Sequence, residues 1–263
     1  MQYVFKLSGE SFGLAVAELR ALFDIFNLKF KIIEHDKNII KIKTNANKKI
    51  ILKLCERSAF IKKTYLDGKI WAVSKGRFLE REPQKKPAFH PTTLKPKLAR
   101  ALVNLSRAKP KEILLDPFCG AGSVLIEAGI LKIKTIGVDF DANMIAFSKN
   151  NLNFYKVKNY KLTNSDATQL EKTLKPNSIS AIATDLPYGR SSRASLKNLA
   201  HLYEKFLISA NNVLKKRKFA AIMYPHYINL PKLTNKKLWK TISKAELYVH
   251  GGLTRKIVVL RKI

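Results

Sequence analysis

The first 70 residues alternate between two hydrophobic periods. Apolar residues at every second position predict β-strands, and apolar residues three or four positions apart predict helices. In chain order these stretches predict a strand, a helix, two strands, a helix and a strand, at residues 3–7, 11–26, 29–35, 38–44, 47–59 and 60–66. A βαββαβ order is typical of a ferredoxin-like sandwich, in which two helices cover one face of a sheet. We therefore expect a small α+β domain over residues 1–70.

The rest of the chain follows a different pattern. We place a linker at residues 71–88, because its second half combines two prolines with alternating charge and little apolar content. From residue 111 onward apolar strands alternate with helices, as in "KEILLDP" followed by "AGSVLIEAGIL". This alternation predicts a mostly parallel sheet with helices on both faces, and we assign it to a second domain at residues 89–263. Such sheets bind ligands at the carboxyl ends of their strands.

The charge of the chain points to a polyanionic partner. Its 50 lysines and arginines exceed the 19 acids by 31, and the excess is +13 in residues 1–100, +6 in 101–200 and +12 in 201–263. Phosphate contacts release counterions and relieve the self-repulsion of such a chain, so nucleic acid is the expected partner. The alternative is a compositional bias of the genome or adaptation to heat, since lysines outnumber arginines 39 to 11.

Several classes of protein are excluded by simple features. The amino-terminal residues lack the apolar run of a signal peptide, and no 18 consecutive residues are apolar. We therefore expect a soluble, cytoplasmic protein without a membrane partner. Cys55 and Cys119 lie far apart and have no histidines at zinc-ligand spacing. Neither a disulfide framework nor a metal site is expected.

Four predicted strands of the second domain end in an aspartate: Asp116, Asp139, Asp166 and Asp185. A single aspartate at a strand-to-helix junction is commonly a helix N-cap or a turn former. Four of them would line one edge of one sheet, where a small ligand with several hydrogen-bond donors would lie. The four together therefore favour a binding site.

The segment "DPFCGAGS" narrows the ligand class. Gly120 and Gly122 allow a tight turn and a close approach of the backbone, but the full G-x-G-x-x-G spacing of phosphate-binding turns is absent. Asp116 is placed to attract an ammonium group, Asp139 to accept from ribose hydroxyls, and Asp166 to reach an adenine amino group. These features together describe S-adenosylmethionine. We assign to this cofactor the residues Asp116, Pro117, Phe118, Cys119, Gly120, Ala121, Gly122, Ser123, Asp139, Phe140, Asp166, Ala167 and Asp185.

Four motifs carry a resemblance to a known family. "DPFCGAGSVLIEAG", "TDLPYGRSS", "FHPTTLKPKLARALVNL" and "LTRKIVVLRK" resemble the archaeal and eukaryotic THUMP-type tRNA guanine-N2-methyltransferases that act at position 10 of tRNA. The resemblance covers about residues 76–263. It implies a class I S-adenosylmethionine-dependent methyltransferase with a Rossmann-like, mostly parallel seven-stranded sheet. It also implies that an acid-Pro-Pro-Tyr loop receives the target base, and the matching residues here are Asp185, Leu186, Pro187 and Tyr188.

The resemblance also implies roles for individual residues. Asp185 and the carbonyl of Leu186 are expected to accept hydrogen bonds from the guanine amine, while Pro187 fixes the turn and Tyr188 stacks on the extruded base. Leu186 replaces the family's usual first proline, which we expect activity to survive. In the third motif, where Thr92 and Thr93 depart from the family, His90 and Pro91 are candidates for cofactor binding and Lys97 is a further site candidate. The expected RNA contacts are Arg190, Ser191, Ser192 and Arg193.

Three functions remain open on the sequence. The favoured one is methylation of a tRNA guanine at its N2 amine. The second is methylation of another amine, such as adenine in DNA or a protein glutamine, and the third is a non-catalytic RNA-binding subunit with a methyltransferase scaffold. A small activating partner protein or a homodimer is also expected within the resembling family. The amino-terminal domain resembles only the first half of a THUMP module, so lysine-rich surfaces or a partner would replace the missing half.

Overall fold

The amino-terminal region forms a five-stranded antiparallel sheet. The computed structural model describes residues 1–74, 76–189, 196–250 and 253–263. The elements of this region are β1 (Gln2–Leu7), α1 (Phe12–Ile25), β2 (Phe30–Asp36), β3 (Ile39–Thr44), α2 (Lys48–Arg57), β4 (Ile61–Leu66) and β5 (Lys69–Val73). The sheet order is β2-β3-β1-β4-β5. The predicted βαββαβ order is present, with one further strand.

Strand β5 lies partly in the segment predicted as a linker. It pairs antiparallel with β4 across a two-residue turn at Asp67 and Gly68, whose φ angles are 51° and 76°. Asp-Gly with positive φ at both positions is the preferred sequence of a tight hairpin turn, and this local signal was missed. The predicted linker from residue 71 therefore begins inside a strand. Farther along the segment the chain forms two short 3-10 helices, Phe78–Arg81 and Pro83–Lys85.

The second region contains the predicted seven-stranded, mostly parallel sheet. Its elements are α3 (Pro96–Leu105), β6 (Ile113–Asp116), α4 (Ser123–Ile130), β7 (Lys134–Asp139), α5 (Ala142–Phe154), β8 (Tyr160–Asn164), a 3-10 helix (Ala167–Lys172), β9 (Ile179–Asp185), α6 (Leu196–Val213), β10 (Leu214–Pro225), α7 (Leu230–Leu233), β11 (Trp239–His250) and β12 (Leu253–Lys262). The order is β11-β12-β10-β9-β6-β7-β8, and β12 runs antiparallel to both of its neighbours. This confirms the predicted Rossmann-like architecture.

The two regions share one hydrophobic core. Tyr3 and Phe5 of the small sheet belong to the same buried cluster as Leu102 of α3 and Val259 of β12. Helix α1 mediates the contact, since it packs against α3 and β11. A domain boundary at residue 89 stays a prediction, but cutting the chain there would expose apolar residues that are now buried.

The buried carboxylate of Glu18 has several hydrogen-bond partners at this contact. The carboxylate of Glu18 in α1 accepts from Ser58 Oγ at 2.7 Å, from Asn104 Nδ2 at 2.7 Å and from the Ala59 amide at 2.8 Å. These partners lie in α3 and in the loop after α2. The bond from Asn104 joins the two regions, and all three are hydrogen bonds to a charged group, the stronger kind.

A second buried acid continues this network toward the glycine turn. Glu127 in α4 is fully buried, and its oxygens lie 2.6 Å from Arg81 Nε and 2.8 Å from Arg100 Nη2. We call the groups around Glu18 and Glu127 the domain junction.

Among the described helices, none is long and apolar enough to cross a membrane.

Candidate functional site

Three of the four predicted aspartates come together at the carboxyl ends of neighbouring strands, whereas β8 ends at Asn164 and Asp166 follows in the next turn. Asp116 ends β6, Asp139 ends β7 and Asp185 ends β9, and β6 lies between the other two strands in the sheet. We call this place the site edge. Parallel neighbours end on the same side, so the strand order itself brings the three carboxyl groups together.

Asp185 lies in a polar cluster within a largely buried environment. The Tyr188 hydroxyl donates to Asp185 Oδ1 at 2.9 Å, and Arg255 Nη1 lies 3.9 Å from Oδ2. Desolvation by burial raises the pKa of Asp185 to about 6, although Arg255 and the Tyr188 hydrogen bond act in the opposite direction. The carboxyl group therefore changes charge close to neutral pH, as expected for a group that exchanges a proton.

The loop after Asp185, residues 185–189, is held by backbone contacts and is called the acceptor loop here. The Leu186 amide donates to the Met223 carbonyl at 2.9 Å, and the Leu186 side chain is only 1% exposed. A proline at this position would have no N–H to donate. The departure from the family pattern thus replaces the stiffness of a proline with a hydrogen bond and a buried side chain.

Two tyrosines from other elements fix the next two carbonyls of the acceptor loop. Tyr203 of α6 is fully buried and its hydroxyl donates to the Pro187 carbonyl at 2.7 Å, while the Tyr227 hydroxyl donates to the Tyr188 carbonyl. Within the described residues no hydrogen bond reaches the carbonyl of Leu186. That oxygen and the Asp185 carboxylate are therefore the acceptors that the loop leaves for a ligand.

The glycine turn beside β6 has the backbone that was predicted for it. Gly120 and Gly122 have φ angles of 48° and 82°, and a Cβ on Gly122 would lie 2.6 Å from Ser148 Oγ. A Cβ on Gly120 would meet no atom within 4 Å, so the space above the turn is open. The positive φ at both positions is the reason that glycine is needed there.

Asp139 and Phe140 border this open space. Asp139 is half-buried, and its oxygens accept from the Gly120 amide at 2.8 Å and from the Asp141 amide at 3.0 Å. Each carboxylate oxygen has a further lone pair for a ribose hydroxyl. Phe140 is 86% exposed beside it and presents an apolar ring next to the open space. The residues present therefore fit S-adenosylmethionine.

Asp116 lies deeper than a direct ligand contact requires. It is 2% exposed, and its Oδ1 accepts from Thr184 Oγ1 at 2.7 Å and from the Phe118 amide at 3.3 Å. Desolvation raises its pKa to about 7. The carboxyl group can attract a cation at the site edge through its charge, while its oxygens stay below the surface.

The other cofactor candidates have mainly structural contacts. Asp166 caps the 3-10 helix that follows it, accepting from the Thr168 amide at 2.8 Å, and Ala167 is buried. The Ser123 hydroxyl donates to the Leu94 carbonyl at 2.8 Å. Cys119 lies in a small hydrophobic cluster, and burial raises the pKa of its thiol. Pro117 and Ala121 are buried, and Phe118 packs edge-on against Phe206 with ring centroids 5.1 Å apart.

The candidates from the third motif lie in two different places. Asn151 Nδ2 donates to the carbonyls of Ala88 and Ala121, so the segment that leads to His90 and Pro91 runs beside the glycine turn. His90 itself pairs with the Thr92 hydroxyl at 2.8 Å. Lys97 instead faces the small sheet, where its ammonium contacts Glu10 at 2.5 Å and Ser8 at 2.8 Å. Arg190, Ser191, Ser192 and Arg193 lie outside the described residues.

Sequence reasoning assigned no role to three groups at the site: Tyr203, Tyr227 and Arg255. The motif that contains Arg255 was quoted for the family resemblance, without a role for this arginine. Arg255 follows Asp185 by 70 positions, and only the antiparallel return of β12 beside β10 brings them together. No local pattern in the sequence signals such a contact.

Comparison with known proteins identifies a methyltransferase domain in this chain. Residues 83–257 match the RMKL-like methyltransferase domain family. The tRNA (guanine(10)-N2)-dimethyltransferase of Methanocaldococcus jannaschii is 33% identical over 264 aligned residues, which cover 97% of this chain and 72% of that protein. The proteins of the same name from Methanothermobacter thermautotrophicus and Pyrococcus abyssi are 35% and 34% identical, each over 75% of this chain. The chain spans 58% and 60% of their lengths.

Solved structures agree on the fold. TrmN from Thermus thermophilus has a TM-score of 0.63 with 16% identity over 100% of both chains. A possible methylase from Clostridium difficile has a TM-score of 0.59 with 16% identity over 100% of this chain and 99% of the other. At such identities the likeness concerns the fold alone. Through its methyltransferase domain and these relatives, the chain belongs to the family of THUMP-type tRNA guanine-N2-methyltransferases.

Proposed function

We propose that this protein transfers a methyl group from S-adenosylmethionine to the exocyclic N2 amine of a guanine in tRNA, at position 10. The observation that carries the proposal is the pair of acceptors at the end of β9. Asp185 and the Leu186 carbonyl lie at the site edge, on a loop held by Met223, Tyr203 and Tyr227. The relatives named above supply the substrate class.

The chemistry requires orientation more than activation. S-adenosylmethionine supplies a methyl group that its sulfonium already makes electrophilic. The guanine amine is a weak nucleophile because its lone pair is delocalised into the ring. Asp185 and the Leu186 carbonyl would each accept one of its hydrogens and direct the lone pair toward the methyl group. Holding reacting groups in this way is worth effective molarities on the order of 10⁵ M or more.

The transfer leaves a proton to be placed. As the nitrogen–carbon bond forms and the sulfur–carbon bond breaks, the amine becomes cationic and loses one proton. Asp185 can take that proton, because burial raises its pKa to about 6. A carboxyl group with this pKa is mostly ionised at neutral pH, so it can accept the hydrogen bond from the amine. It is also basic enough to take up the proton that the amine loses.

The aspartate also favours guanine over the alternative amines. Guanine presents two adjacent donors on its Watson–Crick edge, the N1–H and the N2 amine, and a carboxylate presents two adjacent acceptors. Adenine offers an acceptor at N1, which an ionised carboxylate would repel. This chemistry places methylation of DNA adenine behind methylation of guanine, and glutamine remains an outcome of the test.

The test is transfer of labelled methyl groups to unmodified tRNA, followed by nucleoside analysis. We expect label in N2-methylguanosine or N2,N2-dimethylguanosine. Label in N6-methyladenine or in protein would contradict the proposal, and binding of tRNA without transfer would identify a non-catalytic subunit. The Asp185→Ala variant serves as the control for contaminating activity.

Two further expectations accompany this function. A cytoplasmic protein would meet its tRNA directly, and a small activating protein or a second copy of the chain would enlarge the RNA-binding surface. Sedimentation of the purified chain, alone and with tRNA, measures whether it self-associates. A single species with the mass of one chain at all concentrations would contradict the homodimer.

A further inference from the structure

Arg255 has fewer hydrogen bonds than its burial requires. Its side chain is 16% exposed, and its Nε has no hydrogen-bond partner. Its Nη1 lies 3.9 Å from Asp185 Oδ2, beyond normal N–H···O distance, and 3.8 Å from Met223 Sδ, which is only a weak acceptor. Among the described residues, no oxygen accepts a hydrogen bond from this guanidinium.

An unsatisfied guanidinium is costly, so its position calls for an explanation. Arginine carries five N–H donors, and a buried donor left without an acceptor is destabilising. The great majority of buried polar groups in folded proteins have a partner. A group held short of partners beside a reactive carboxylate indicates that a ligand supplies the missing acceptor.

The surroundings of Arg255 fix its guanidinium at the acceptor loop. Residue 255 pairs with Pro225 in β10 and with Leu247 in β11, so its backbone sits between two strands. Its guanidinium carbon lies 5.7 Å from the centroid of the Tyr188 ring. Because Arg255 lies beside Asp185 Oδ2, the site offers a donor next to the acceptors of Asp185 and Leu186.

The Watson–Crick edge of guanine presents groups that complement both acceptors and donor. Its N2 amine and N1–H are donors, and its O6 is an acceptor. We propose that Arg255 donates a hydrogen bond to O6 of the target guanine and so selects guanine among amino-bearing bases. This inference rests on the proposed function, and it adds a specificity residue to the two acceptors assigned above.

The inference predicts that Arg255 and O6 are coupled. Replacing the target guanosine with 6-thioguanosine changes O6 to a sulfur, which accepts hydrogen bonds weakly, and keeps N1–H and the N2 amine. For the wild-type protein we expect kcat/KM to be about 10- to 100-fold lower on the thio substrate, the range for a hydrogen bond to a charged group. In Arg255→Met that preference should shrink to less than about 3-fold, because the donor is gone.

Controls separate this role from general damage to the site. Lys256→Met changes the neighbouring residue, which pairs with Glu246 at 3.4 Å, and should keep the wild-type preference. Arg255→Lys keeps a positive charge beside Asp185 and should give an intermediate preference. Cofactor affinity and melting temperature, measured on each variant, report whether the fold is retained.

The outcomes distinguish the inference from the proposed function. If the wild-type protein methylates guanine and Arg255→Met keeps the wild-type preference for guanine over 6-thioguanine, Arg255 does not read O6. Should Arg255→Met fail to fold, Arg255→Lys with an unchanged preference overturns the inference in the same way. If the wild-type protein methylates no guanine in tRNA, the proposed function itself fails.

Discussion

The domain junction and the site edge both bury charged groups, and they treat them in opposite ways. At the junction each acid has strong partners: Glu18 accepts three hydrogen bonds of 2.8 Å or less, and Glu127 lies within 2.8 Å of two arginines. At the site edge Asp185 has one hydrogen bond, from Tyr188 at 2.9 Å, and an arginine 3.9 Å away. The acids of the junction are satisfied by the protein alone, whereas Asp185 keeps acceptor capacity for the proposed ligand.

The titration of the two regions differs accordingly. Desolvation lowers the pKa of Arg57 at the junction to about 10, which leaves it charged at neutral pH. At the site edge desolvation raises the pKa of Asp116 to about 7 and that of Asp185 to about 6. The charge of Arg57 is therefore fixed near neutral pH, whereas the charges of Asp116 and Asp185 respond to pH.

The largest expected effect comes from a substitution at the site edge. Asp185→Asn keeps the shape of the side chain but removes the group that takes the proton, so kcat should fall by about 10²- to 10⁴-fold. Binding of S-adenosylmethionine, measured by calorimetry, should change by less than about 3-fold, since the interaction is made mainly in the transition state. The control Tyr203→Phe, which removes one anchor of the acceptor loop, should lose less. Near-normal turnover in Asp185→Asn would contradict the mechanism.

The next largest expected effect is a loss of stability from a substitution at the domain junction. Glu127→Gln leaves Arg81 and Arg100 buried without their counter-charge, and breaking a buried pair costs about 3 to 5 kcal/mol. Chemical unfolding at pH 7.5 measures this loss. The exposed Glu204→Gln serves as the control and should stay within about 0.5 kcal/mol of wild type. A Glu127 variant as stable as wild type would remove the contrast between the two regions.

A pH profile sharpens the contrast. Methyl transfer requires ionised Asp185, so kcat should rise with pH and reach half its maximum at about pH 6, where this carboxyl titrates. Arg255 lowers the pKa of Asp185, so Arg255→Met should move the half-maximum to higher pH. Single-turnover rates between pH 5 and 8 provide the measurement. A flat profile over this range would show that Asp185 does not limit the reaction.

The smallest effect is a gain of stability at the site edge. The folded-state pKa of Asp116, about 7, lies above its unfolded value, so the folded protein binds more protons than the unfolded chain between pH 4 and 7. Its stability therefore falls as pH rises through that window. Asp116→Asn removes this penalty and should stabilise the protein by on the order of 1 to 2 kcal/mol at pH 8, with no gain near pH 4. Destabilisation at pH 8 would mean that the charge of Asp116 is well compensated.

Local patterns in the sequence were enough to predict much of the fold and those parts of the candidate site that are continuous in the chain. Alternating strands and helices indicated the large sheet, and strands that end in aspartate indicated the site edge. The glycine turn and the acid-x-Pro-Tyr loop are continuous in the chain, so their residues could be assigned directly. Strand β5 was missed although Asp67 and Gly68 signalled its turn.

The remaining parts of the molecule depend on contacts between distant segments. The pairing of Glu18 with Asn104 joins residues 86 positions apart, and a buried glutamate in a helix looks like a surface residue in sequence. Arg255 reaches Asp185 only through the antiparallel β12. The shared core was also unpredicted, and it makes a fragment beginning at Phe89 unsuitable for testing the role of the amino-terminal region.

The most direct test of the account is methyl transfer to a tRNA in which guanosine 10 alone is replaced by inosine. Inosine keeps N1–H and O6 but lacks the exocyclic amine, so binding should be preserved while transfer is abolished. A matched tRNA with inosine at a different guanosine should be methylated like the unmodified one. Unchanged transfer to the inosine-10 tRNA would contradict the claim that the acceptor loop presents the N2 amine of this guanine.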